Sequence, residues 1–163
     1  MPNTTHISYK DKGFWIPESF IEVLSQYVCE TFESIGLDNF SSALLEIYDD
    51  CHFNRNGSNV EMVNNGLDNI NDLADKVTFI DVLEKTKKFI LSNGFELSVS
   101  TLNEFESKKL ARSFMSNWTL PIKTQSLVAT IDIIEKMLNE TWESSNYGVY
   151  YAGFPKPDSA IEI

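Results

Sequence analysis

The chain has 163 residues, 42% of them hydrophobic, and carries a formal net charge of −11 at pH 7. Eleven Phe and three Trp supply enough large apolar surface for a folded core, which excludes an acidic disordered tail. The charge opposes nucleic acid and anionic lipid and favours basic protein partners. It is uneven. Residues 1–50 hold nine acids against Lys10 and Lys12, a net −7, whereas 51–100 and 101–163 carry −2 each.

The opening MPNTTHISYKDKG lacks the apolar centre of a signal peptide, and no run of about eighteen apolar residues follows, so a cytoplasmic protein without a membrane partner is expected. Residues 1–14 read as an N-terminal arm. A helix is predicted over residues 17–35, with Pro17 at its first position. On a 100° wheel Phe20, Ile21, Val23, Leu24, Tyr27, Val28, Phe32 and Ile35 fill one half. Glu18, Glu22, Glu30 and Glu33 cluster on the other. Gly36 ends it.

Asp38 or Asn39 is expected to cap a second helix running to residue 53. It would bury Phe40, Leu44, Ile47, Tyr48 and Cys51, leaving Glu46, Asp49 and Asp50 outside. Residues 54–57 read as a turn, and 58–75 as short helical pieces joined by loops. Helical spacing returns over 78–92, with Lys85, Lys87 and Lys88 near its C-terminal end and Gly94 as its stop. Residues 95–99 suit a short extended piece. Further helices are expected over 101–118, capped by Ser100, and over 126–143, where Asp132 and Lys136 form an i,i+4 pair. Residues 144–163 read as an irregular aromatic tail holding Tyr147, Tyr150, Tyr151 and Phe154. The fold class expected is mainly α: one domain over 1–163, a bundle of about five to seven helices with a short extended segment.

Catalytic readings fail on supply. His6 falls in the arm, and the side chain of His52 diverges by about 100° from its neighbour Cys51. Setting Gly57 at the sixth position of an EF-hand loop places Val63 at the twelfth, where an acid is required. Two Cys and two His at these spacings make no zinc site. Asp68, Asp72 and Asp75 read as a solvated face. Phosphate-loop glycine spacing is absent. The basic groups Lys85/Lys87/Lys88 and Lys108/Lys109/Arg112 are too small to overcome the overall field for nucleic acid. Cys29 and Cys51 read as buried thiols of a reducing compartment. The chain is therefore expected to be non-enzymatic, without metal or cofactor, and to act by binding.

Candidate contacts are the acids Glu18, Glu22, Glu30, Glu33, Asp38, Glu46, Asp49 and Asp50, with Trp15, Tyr147, Tyr150 and Tyr151 as aromatic anchors. The segment YKDKGFWIPE at residues 9–18, leading into an acidic amphipathic helix, resembles the start of small immunity proteins. These are encoded beside bacterial contact-dependent growth-inhibition and other polymorphic toxins. The resemblance is specific over residues 1–35 and one of general character beyond. It implies a cytosolic protein that binds a cognate toxin domain, such as a nuclease with a basic groove, and blocks it. It transfers no functional residue. The alternative is a helical adaptor or regulatory module for another basic protein.

Overall fold

The computed structural model describes residues 4–56, 66–110, 116–150 and 160–163. Burial alternates along Thr4–Tyr9 (β1), with Thr5, Ile7 and Tyr9 inward and Thr4, His6 and Ser8 outward, as a half-buried strand requires. Its partner Lys12–Pro17 (β2) buries Phe14 and Ile16 and leaves Trp15 outside. The two pair antiparallel from Thr4↔Pro17 to Tyr9↔Lys12, around a two-residue turn in which Lys10 has φ 55°. The N-terminal arm expected over residues 1–14 is thus, from Thr4 onward, the hairpin that walls one side of the core.

Pro17 closes β2 and caps the helix Glu18–Ile35 (α1), so strand and helix join without a loop. Phe20, Val23, Leu24, Tyr27, Val28 and Phe32 are buried along it, and Gly36 at φ 101° ends it. A 3-10 turn follows at Leu37–Asn39, and the cap of the second helix, Ser42–Arg55 (α2), is Ser41, whose Oγ accepts from the Leu44 N–H. A second 3-10 turn, Leu67–Asn69, precedes Leu73–Leu91 (α3). That helix starts five residues before the predicted position because Asp72 caps it, accepting from the Asp75 N–H at 2.7 Å.

Glu96–Leu97 (β3) and Ile122–Lys123 (β4) form a small antiparallel pair. Between them Val99–Ser107 (α4) is capped by Ser98, not Ser100, and stops well before residue 118. Thr124–Leu138 (α5) also ends early. Trp142 leaves the helix and donates through Nε1 to the Gly13 carbonyl at 3.0 Å. The predicted Asp132–Lys136 pair gives way to a bridge between helices: Lys87 reaches Asp132 and Glu135, 2.9 Å each, and pins α3 to α5.

The aromatic tail is not irregular where it is described. Tyr147–Tyr150 (β5) runs parallel to β2, and Ala160–Glu162 (β6) runs parallel to β5. The sheet order is β1-β2-β5-β6. The molecule is therefore α/β, a helical layer on a mixed four-stranded sheet, and not a helical bundle. One core joins the layers through Ile7, Phe14 and Ile16 of the sheet, Phe20 and Phe32 of α1, Leu44 and Ile47 of α2, Leu83 and Ile90 of α3, and Leu127 and Ile131 of α5. Each such side chain contributes about 1.5–3 kcal/mol by leaving water. Cys29 and Cys51 are buried free thiols, and burial pushes Cys29 up to about 12.

Candidate partner-binding surface

Charge decides which side chains of α1 remain available. Glu22 sits between the sheet-facing and outer sides of the helix and is covered by Lys109, whose ammonium it binds. Lys109 also binds Glu106 at 2.6 Å, and Glu106 accepts from Trp118 Nε1 at 3.0 Å and from the Ser116 N–H at 2.9 Å. Burial raises the Glu22 pKa by more than Lys109 lowers it. Lys109, expected in a basic surface cluster, is thus the centre of a buried ion triad, and Arg112 lies outside the described residues.

Glu33 is likewise engaged. It accepts from Tyr48 at 2.9 Å and Arg55 at 2.8 Å, and although burial works against it these bonds hold its pKa below the usual range. Arg55 in turn meets His52 Nδ1 at 2.9 Å, so this helix-end histidine is tied to its own helix. Glu30 accepts from Gln26, and Glu18 is half-buried with interactions of its own. The acidic stripe of α1 is largely spent on internal structure.

Glu33 keeps part of its carboxylate in solvent, and further exposed acids lie beyond α1. Asp38, Glu46 and Asp49 are exposed, and Asp50 is half-buried. Glu46, Asp49 and Asp50 share one face of α2 by their i, i+3, i+4 spacing. Burial, then repulsion from Asp49 and Glu46, raises the Asp50 pKa. A chain of contacts continues this acidity. Asp50 lies against Gly66, Asp68 accepts from the Lys10 N–H at 2.7 Å, and Lys10 Nζ binds Glu140 at 2.6 Å. Asp68 and Asp72 are exposed, as a solvated face requires, and Asp75 is half-buried; Asp72 caps α3 and Asp75 accepts from Ser41.

Beside this rim a cleft of about 100 Å³ opens between the hairpin turn and the loop after α5, and its charged lining balances Lys10 and Lys12 against Asp11, Glu140 and Glu143. Lys10 and Glu140, the two non-glycine residues with positive φ among those described, face each other across it.

The aromatic candidates separate. Trp15 stands on the outer face of the sheet, 44% exposed, with the His6 ring centroid 4.9 Å from its own. His6 Nε2 contacts the Ser145 carbonyl at 2.9 Å, and the ring passes over Gly13, where an added Cβ would lie 2.7 Å from it. Tyr147 is 48% exposed and packs near Trp142, but it pairs with Phe14 and so projects to the other side of the sheet from Trp15. Tyr150 is buried, with its hydroxyl donating to Glu162 at 2.9 Å. Tyr151 lies outside the described residues. Sequence reasoning missed Asp11, Glu140 and Glu143, which meet at the hairpin turn with Asp68, a residue it reads only as solvated, and it missed the contact of His6 to Trp15. The signal for them was the period-two burial of residues 4–16.

Among the described residues no helix is long and apolar enough to cross a membrane, and no group of three or more His, Cys, Asp or Glu is placed to hold a metal. Comparison with protein-family models, curated proteins and solved structures gives no match.

Proposed function

We propose that this chain is an immunity protein that binds and neutralises a cognate toxin domain, a basic nuclease being the best fit. The observation that carries the reading is Trp15. A large aromatic, 44% exposed and packed against the His6 ring on the outer face of the sheet, is the kind of anchor that dominates interface energy. The exposed carboxylates Glu46 and Asp49 of α2 add to a negative overall field that draws in a basic partner and raises its association rate about 10–1,000-fold. The carboxylates of α1 maintain the scaffold. The resemblance of residues 9–18 to immunity proteins supports the same reading.

The test is co-expression with candidate toxin domains, scored by survival, together with stopped-flow association of the purified pair. Glu46→Lys with Asp49→Lys slows association at low salt and leaves it nearly unchanged at high salt. Growth arrest despite co-expression with every candidate overturns the reading.

A further inference from the structure

The backbone directions of the hairpin expose an edge. In an antiparallel pair a residue's N–H and C=O point to the same side, and the side alternates along the strand. Gly13 donates its N–H to the Ser144 carbonyl, and its own carbonyl accepts from Trp142, so both groups point away from β1. Its register partner Ser8 therefore points its N–H and C=O outward, away from β2, and so do His6 and Thr4 two and four residues earlier. These outward groups have no hydrogen-bond partner among the described residues.

β1 is also an end strand of the sheet. Edge strands are commonly protected by Lys, Pro or a bulge, and TTHISY from Thr4 to Tyr9 has none of these. The His6 side chain leans inward over Gly13 to Ser145 and leaves the edge uncovered.

We infer that β1 is a docking edge that takes an extended segment of a basic partner as a fifth strand. Main-chain hydrogen bonds to Thr4, His6 and Ser8 supply the affinity, and charge sets the choice of segment. The strand itself bears no charge; beyond its Tyr9 end Asp68 accepts from the Lys10 N–H, the Lys10 ammonium is paired with Glu140, and the Asp50 carboxylate of α2 lies against Gly66, which leaves that end net acidic. A segment carrying Lys or Arg beside its β-forming core is complementary to that end. A second copy of this chain, itself acidic there, is not. The inference rests on the toxin reading only for the partner's identity.

The probe is a capped peptide, Lys-Val-Thr-Val-Thr-Lys, titrated into the ¹⁵N-labelled full chain, with Glu in place of both Lys as its counterpart. The expected result is shifted and exchange-protected amides at Thr4, His6 and Ser8, with the Glu peptide at least about tenfold weaker. His6→Pro removes the outward N–H and places a ring on the edge, a substitution edge strands tolerate, and it abolishes the response; the imidazole contacts to Trp15 and Ser145 that it also removes are lost equally in His6→Ala. His6→Ala, which keeps the N–H, retains it. Ser8→Pro serves as the second edge variant if His6→Pro is unfolded by circular dichroism. Silence of the three amides, or equal response to both peptides, overturns the inference. So does a dimer of the chain alone, seen by sedimentation and lost in the proline variant, because the edge then belongs to a second copy. Toxin binding that survives the proline variants sinks the edge and spares the toxin reading. Peptide binding without toxin binding does the reverse.

Discussion

Replacing Lys109 by Met isolates the buried ion triad from everything else in the fold. The Lys109 side chain is 3% exposed, and those of Glu106 and Glu22 are 2% and 12% exposed, so the substitution strands two carboxylates away from water. Removing one partner of a buried pair costs about 3–5 kcal/mol. The two acids are not equally stranded. Glu106 keeps Trp118 Nε1 and the Ser116 N–H, whereas Glu22 has no other donor among the described residues and relieves its charge by taking up a proton. The expected loss is therefore in the lower half, about 3–4 kcal/mol. With an m-value of about 2 kcal/mol/M, the urea midpoint falls by about 1.5–2 M. Adding Glu22→Gln to Lys109→Met recovers at least about 1 kcal/mol, because the cost of protonating a stranded carboxylate at neutral pH disappears. A loss under about 1 kcal/mol in the single variant, or no recovery in the double, refutes the triad as described.

The same carboxylates set opposite pH slopes. Glu22 has a folded pKa above its ordinary 4.5, so the native state holds that proton more tightly. Its contribution is present at low pH and lost as pH rises through the raised value, and Glu22→Gln flattens that decline in urea midpoints. For Glu33, held below its ordinary 4.5 by Arg55 and Tyr48, the contribution is present above that value and lost on acidification. Glu33→Gln thus lowers stability at pH 7 more than at pH 3, by about 0.5–1 kcal/mol given its partial exposure; equal loss at both refutes the assignment. Gly66 has φ 65°, and a Cβ there would lie 2.7 Å from the Asp50 carboxylate. Gly66→Ala costs about 1–2 kcal/mol, about 2–8 °C in Tm, and Asp50→Ala relieves part of it; an unchanged Tm refutes it. Cys29 and Cys51, both buried with raised pKa values, react with a thiol reagent at the rate of unfolding and not faster.

The helices were legible because burial of one face imposes a 3.6-residue period, and Phe20, Leu24, Tyr27 and Phe32 keep it in α1. The sheet was not, for identifiable reasons. The hairpin turn is Lys10–Asp11, without the Asn-Gly or Asp-Gly pair that marks such turns, and the positive φ falls on a lysine. β2 runs straight into α1 without a loop, so the sequence places Phe14 in the arm and starts a helix at Pro17. β5 and β6 pair in parallel with strands far away in sequence, and no local pattern records that. The site was half legible for the same reason. Composition pointed to acidic helices and to Trp15, but a helical wheel places Glu22 outside, since the lysine that buries it comes from residue 109.

The most direct test of the proposed function is the dissociation constant of a toxin domain that this chain neutralises on co-expression, measured for the native sequence and for Trp15→Ala. Trp15 is 44% exposed and outside the core, so the variant folds and only the anchor is lost. A central aromatic anchor carries 2 kcal/mol or more of binding, which predicts affinity weaker by about 30-fold or beyond. Binding within about threefold of the native value, from a variant with an unchanged Tm, would contradict it.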